Sequence, residues 1–114
     1  MIEAELRRYP RLALAISRLT RRLNGSVEQI KADVQLADGS RLHINEVYVL
    51  GQLRKYAYYR LSPTGEVIQG WDNAPHHPEV ASYPHHLHHE GAVYPSPVRL
   101  LADVLALLEE ELRV

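Results

Sequence analysis

The stretch IKADVQLADGSRLHI, residues 30–44, alternates apolar Ile30, Ala32, Val34 and Leu36 with polar Lys31, Asp33 and Gln35, turns at Asp38-Gly39, and resumes with Leu42 and Ile44. A period of two is what a strand with one buried face requires, and Asp-Gly between two such runs is a strong hairpin signal. Val47 and Val49 fall out of phase with Leu42 and Ile44, so a bulge near Asn45-Glu46 is expected if the second strand continues. Past the reversal at Gly51, Leu53, Lys55, Ala57, Tyr59 and Leu61 alternate with Arg54, Tyr56, Tyr58 and Arg60. Ser62-Pro63-Thr64-Gly65 makes the next turn, and residues 66–71 read as a fourth strand. Three short connections in succession predict a four-stranded antiparallel β-meander.

Outward from the meander the period changes. Leu12, Ile16, Leu19 and Leu23 fall at i, i+4, i+7 and i+11, which predicts a helix with Pro10 in its first turn and Asn24-Gly25 at its end. Residues 2–8 form a separate short helical turn in this reading, because Pro10 disfavours helical geometry at Tyr9. Residues 73–97 contain Pro75, Pro78, Pro84, Pro95 and Pro97, and the missing amide donors predict a long His/Pro-rich loop. Leu101, Val104, Leu105, Leu108 and Leu112 then trace an amphipathic closing helix, entered near Pro97 or Val98. The expected class is α+β: an N-terminal helical segment, the meander, the loop folded over the sheet, and a C-terminal helix packed on it. A length of 114 residues with 46% hydrophobic side chains suits one core, so residues 1–114 are read as a single domain.

Composition removes several classes of chemistry. There is no cysteine, which excludes disulfides, thiolate metal sites and a cysteine nucleophile. No apolar run approaches the roughly 20 residues needed to cross a bilayer, and the N-terminus, with Glu3, Glu5, Arg7 and Arg8, lacks a secretory stretch. A cytoplasmic protein with no membrane contact is expected. The net charge of -1 gives no strong attraction to phosphates overall. Arg7, Arg8, Arg11, Arg18, Arg21 and Arg22 nevertheless make the N-terminal segment basic, and Glu109, Glu110 and Glu111 make the C-terminal end acidic. On a surface helix such arginines read as a solvated face. No glycine-rich phosphate loop, nucleophile elbow or dinucleotide fingerprint is present, which argues against nucleotide-cofactor chemistry.

Six of the seven histidines lie between residues 76 and 89: His76 and His77, then His85, His86, His88 and His89 after Pro84. Imidazole titrates near neutrality, so two histidines on opposite sides of a phosphodiester can share the work. One takes a proton from a ribose 2′-hydroxyl and the other gives one to the leaving oxygen, with no metal required. Asp72 or Glu90 could orient an imidazole. Tyr56, Tyr58 and Arg60 share one strand face and could stack a base and hold a phosphate, although aromatic residues at alternate strand positions equally suit sheet packing. Two other readings stay open. The closely spaced imidazoles could bind a divalent metal such as zinc or nickel, or the segment could be a pH-sensitive docking loop with no catalysis.

The run Trp71-Asp72-Asn73-Ala74-Pro75-His76-His77, followed by Tyr83-Pro84-His85-His86-Leu87-His88, resembles the TumE family of bacterial and archaeal toxin-antitoxin proteins. The resemblance extends in outline to Tyr56-Ala57-Tyr58 and to the final helix after Ser96-Pro97. It implies a small toxin paired with a helix-turn-helix antitoxin, and it points to Asp72, Asn73, His76, His77, His85, His86 and His88 as the characteristic polar residues. Joined to the imidazole chemistry, it yields an expected metal-independent ribonuclease acting on RNA. His76, His77, His85, His86, His88 and Asp72 form its expected catalytic set; Tyr56, Tyr58, Arg60, Trp71 and Asn73 are expected to bind substrate. This expectation turns on whether the two histidine groups converge in space.

Overall fold

The alternating segments assemble into one antiparallel sheet in the computed structural model, which describes residues 2–114. In chain order the elements are α1 (Ile2–Arg7), β1 (Ala13–Asn24), β2 (Val27–Leu36), β3 (Arg41–Val49), β4 (Gln52–Leu61), β5 (Val67–Asp72), β6 (His86–His89), β7 (Ala92–Pro95) and α2 (Leu101–Leu112). The strands lie side by side in sequence order, so every neighbour is joined by the simplest antiparallel connection. The α+β class stands in outline, but the sheet has seven strands where four were expected. The surplus comes from two places.

The first is the segment read as a helix. Residues 13–24 form β1, paired with β2 from Ala13↔Leu36 to Asn24↔Val27. Asn24-Gly25 does not end a helix; Gly25, at φ +60°, turns the chain from one strand into the next. The apolar residues of the expected helical stripe do not share a core face: Leu12 is buried, Ile16 and Leu23 are exposed, and Leu19 is only partly buried. Alanine, leucine and arginine favour helix intrinsically, and here the pairing offered by the edge of β2 overrides that weak preference. The short helical turn before Pro10 is present as α1.

The second is the His/Pro-rich segment, which is loop over residues 73–85 and then turns into strands. His86–His89 and Ala92–Pro95 are paired strands. Glu90 and Gly91 between them both have positive φ, 51° and 76°, as a two-residue mirror-image hairpin turn requires. The prolines are compatible with this: Pro75, Pro78 and Pro84 precede β6, and Pro95 ends the edge strand β7, where a missing donor is tolerated.

The bulge expected near Asn45-Glu46 is absent. β3 keeps strict alternation through Leu42, Ile44 and Glu46, all buried, and leaves Val47 on the opposite face. A carboxylate occupies a core position because Tyr58 and Tyr48 donate to its two oxygens at 2.6 and 3.1 Å. Burying a charge is tolerable when both oxygens are satisfied. The register shift lies later, where Val47 faces Lys55 and Tyr48 faces Leu53.

Both helices cover one side of the sheet. Leu101, Val104, Leu105 and Leu108 of α2 and Ile2 and Leu6 of α1 pack with Ile30, Val34, Leu42, Ile44, Tyr58 and Trp71 into a single core. The Leu100 amide donates to Asp103 Oδ2 at 2.8 Å, which satisfies one of the free donors at the start of α2. The opposite side of the sheet carries no helix. Cross-strand register sets two rows on this open face: Lys31, Asn45, Ala57, Asp72 and His86 in one, and Arg18, Asp33, His43, Tyr59, Gly70 and His88 in the other. No helix among the described residues is long and apolar enough to cross a membrane.

Candidate functional site

β5 and β6 pair so that Asp72 faces His86 and Gly70 faces His88. Because side chains alternate between faces, Asp72, His86 and His88 all emerge on the open side, at neighbouring positions. The loop of residues 73–85 returns over them and delivers His77, whose ring centre lies 5.0 Å from that of His86 and 5.7 Å from that of His88. Members of the two histidine groups therefore converge, one from the loop and two from the strand that the loop feeds.

Asp72 is the hub. Its Oδ1 lies 2.9 Å from His86 Nε2 and its Oδ2 lies 3.3 Å from His88 Nε2, while the two Nε2 atoms are 3.0 Å apart. The Ala74 amide donates to Oδ1 at 2.9 Å, and the Tyr59 hydroxyl donates to Oδ2. On its far side His86 places Nδ1 2.9 Å from the Pro84 carbonyl, a pure acceptor, so Nδ1 carries a hydrogen. Nε2 then meets a second acceptor in Asp72. Only a proton shared at that junction, or a cation there, satisfies both neighbours.

Burial divides the cluster into two layers. The Asp72 and His86 side chains are 7% and 2% exposed, whereas those of His77 and His88 are 30% and 29% exposed. The inner pair can position, and the outer pair can touch a substrate. Burial lowers the His88 pKa below the ordinary histidine value; the Asp72 charge opposes this, and the charges of His86 and His77 add to the lowering. A shift in this direction favours the neutral, proton-accepting form of His88. His77 Nδ1 lies 3.2 Å from the exposed carboxylate of Glu79, which can orient the ring.

Tyr59 stands beside this cluster and was not among the residues singled out in sequence. Burial, then the hydrogen bond to Asp72 and its charge, push the Tyr59 hydroxyl well above the ordinary tyrosine range and keep it a donor. Its ring lies over Gly70, where a Cβ would overlap Tyr59 Cδ1. The need for glycine here is one of space, an aromatic ring covering a strand glycine. Gly70→Ala should therefore cost about 1–3 kcal/mol by overpacking and push Tyr59 off Asp72. A denaturant melt unchanged from that of the parent chain would show that the ring has room elsewhere.

The remaining expected site residues are distributed as follows. His76 is exposed at the outside of the loop, and His85 stacks on Tyr56 and places Nδ1 2.8 Å from its hydroxyl, away from Asp72. Tyr56, Tyr58, Arg60 and Trp71 do share a face, but it is the face covered by the helices. Arg60 spans Asp38 at 2.6 Å and Gln69 at 3.0 Å, so its guanidinium is committed to the fold. Asn73 accepts from the Tyr56 amide and donates to the Arg54 carbonyl, both at 3.0 Å, and clips the loop to β4. Glu90 is exposed in the β6–β7 turn, 3.9 Å from His89 Nε2. The sequence signal for Tyr59 was its alternation with Ala57, in phase with Asp72 once register is known.

His77, His86 and His88 each offer one nitrogen, and these atoms all lie within 4.8 Å of one another. Three convergent imidazole nitrogens, two of them against the Asp72 carboxylate, are a donor set of the kind that suits zinc or nickel, and the His86 bond to a backbone carbonyl is a usual feature of a ligating histidine. The same set can move protons. A family model described as Toxin TumE matches residues 3–112, nearly the whole chain. Searches of curated proteins and of solved structures find no match.

Proposed function

The chain belongs to the TumE family of toxins, and on that footing we propose that it arrests growth by cutting RNA with imidazole acid–base chemistry that needs no bound metal. The observation that carries the reading is the pair of part-exposed histidines, His77 and His88, flanking a buried Asp72–His86 pair. Neutral His88 removes the proton of a ribose 2′-hydroxyl. The 2′-oxygen attacks phosphorus, the bond from phosphorus to the 5′-oxygen breaks, and His77 protonates that oxygen as it leaves. Asp72 holds His88 in place and offsets the positive charge it gains, as carboxylates do beside catalytic imidazoles. The products are a 2′,3′-cyclic phosphate and a 5′-hydroxyl.

A toxin of this kind implies an antitoxin partner, and a helix-turn-helix protein that also binds DNA is the form proposed here. The purified chain is expected to cut single-stranded RNA in the presence of a chelator, leaving cyclic phosphate ends. A strand with a 2′-deoxyribose at the cleaved position should stay whole. Ends bearing a 3′-hydroxyl and 5′-phosphate, or no cleavage at all, would defeat this scheme. A second reading, a divalent metal bound by His77, His86, His88 and Asp72, is favoured by one feature: His86 Nε2 faces both a carboxylate oxygen and another imidazole nitrogen.

A further inference from the structure

Three of the 13 lysines and arginines have a carboxylate partner among the described residues. Arg21 meets Glu3 at 2.7 Å, Arg60 meets Asp38 at 2.6 Å, and Arg8 approaches Glu5 at 3.9 Å. On the open face Arg18, Arg22, Lys31 and Lys55 are exposed and Arg41 is partly buried, and none of the five has a carboxylate oxygen within 4 Å among the described residues. The carboxylates that share this face are already engaged, Asp33 by His43 at 2.8 Å and Asp72 by the histidine cluster. Unpaired cations on an otherwise satisfied polar surface are a phosphate-binding footprint.

Their position adds direction. One cavity on the open face is lined by Arg18, Arg22 and Lys31, and a second by Lys55, Tyr59 and Asp72; both are bordered by Gln29, so they form one trough. The row Lys31, Asn45, Ala57, Asp72, His86 crosses four interstrand steps, a span of roughly 19 Å at the usual strand spacing. The trough thus starts at unpaired cations, passes a tyrosine ring and ends at Asp72, the carboxylate that His86 and His88 contact.

We infer that this trough is the path of a single-stranded RNA, with Arg18, Arg22 and Lys31 holding backbone phosphates and Tyr59 offering a ring against which a base can rest. The inference rests on the ribonuclease reading for the choice of RNA, but the groove itself is argued from charge and shape alone. Single strands suit the site because their bases can turn toward a protein aromatic while the backbone tracks a basic groove.

The test uses a fluorescent 2′-O-methyl RNA oligonucleotide, which lacks the nucleophile and cannot be cut by the proposed route. The triple variant R18A/R22A/K31A should bind it on the order of 10- to 100-fold more weakly at low salt, and its log Kd against log salt slope should fall by roughly 2, at about 0.7 for each phosphate the variant no longer neutralises. The charge-matched variant R7A/R8A/R113A, altered only on the helices and their ends, should bind like the parent chain. Equal losses in both triples, no loss in either, or tighter binding of the base-paired duplex would overturn the groove. Cleavage of ordinary RNA is scored separately. A chain that binds through the groove but never cuts would sink the ribonuclease reading alone. One that cuts normally with R18A/R22A/K31A at every salt concentration would sink the groove alone.

Discussion

Alanine at both His77 and His88 is expected to abolish growth inhibition and to lower RNA cleavage by about 10³-fold or more, with the fold retained. General acid and general base catalysis each contribute about 10²- to 10⁴-fold, and the two losses do not add when both groups serve one step. The fold should survive because both side chains are nearly a third exposed, and neither fills the core beneath the sheet. His86→Ala should behave differently. His86 is 2% exposed and bonds Asp72 and the Pro84 carbonyl, so its loss strands two acceptors and should cost about 1–3 kcal/mol of stability as well as activity. His76→Ala, at an exposed position, should leave toxicity near the parent level. Undiminished toxicity in the double variant, with melting unchanged, would remove the catalytic reading. The pH profile offers a further check, since the base must be deprotonated to act. With the His88 pKa lowered, the limb of the profile that the base sets should lie on the acid side of the ordinary histidine value.

The legible part of the fold was the part whose local pattern and tertiary use agree. Ile30 to Leu36, the Asp38-Gly39 turn and the face shared by Tyr56, Tyr58 and Arg60 all follow from alternation, and the structure has them so. β1 was illegible because its side chains are mostly exposed, which erases the hydrophobic period that marks a strand and leaves helix-favouring leucines and arginines to mislead. β6 was hidden because histidines at alternate positions of a four-residue strand carry no apolar signal. Glu46 broke the phase of β3 because its burial depends on Tyr58, which lies on another strand. The site followed the same logic. Clustered histidines could be seen in sequence, but which of them meet depends on the register of β5 with β6, and register has no local signature. Tyr56, Tyr58 and Arg60 were read as sharing a face correctly, yet which face the helices would cover was decided by α2.

Asp72→Asn should reduce cleavage by about 10²- to 10⁴-fold, because an amide cannot replace a carboxylate at this hub. Asp72 accepts from the Tyr59 hydroxyl and the Ala74 amide while facing two imidazole nitrogens, so every neighbour treats it as an acceptor. An asparagine side chain must turn its NH₂ toward at least one of them. Turned toward His88 it claims the Nε2 lone pair and forces the hydrogen onto Nδ1, the nitrogen that should accept the substrate proton; turned toward Tyr59 it opposes a donor with a donor. The near-isosteric change keeps the volume of a residue only 5% exposed, so the effect should fall chiefly on rate. This variant also bears on the metal reading when joined to a metal measurement on untagged protein. Acid–base chemistry requires that chain dialysed against a strong chelator cuts RNA at the parent rate and that no ion is present in stoichiometric amount before dialysis. A metal centre requires one bound zinc or nickel per chain, loss of cleavage on dialysis and its return with the ion, and a metal affinity weakened in Asp72→Asn. The junction at His86 Nε2 holds either a proton or a cation, and these measurements separate the two.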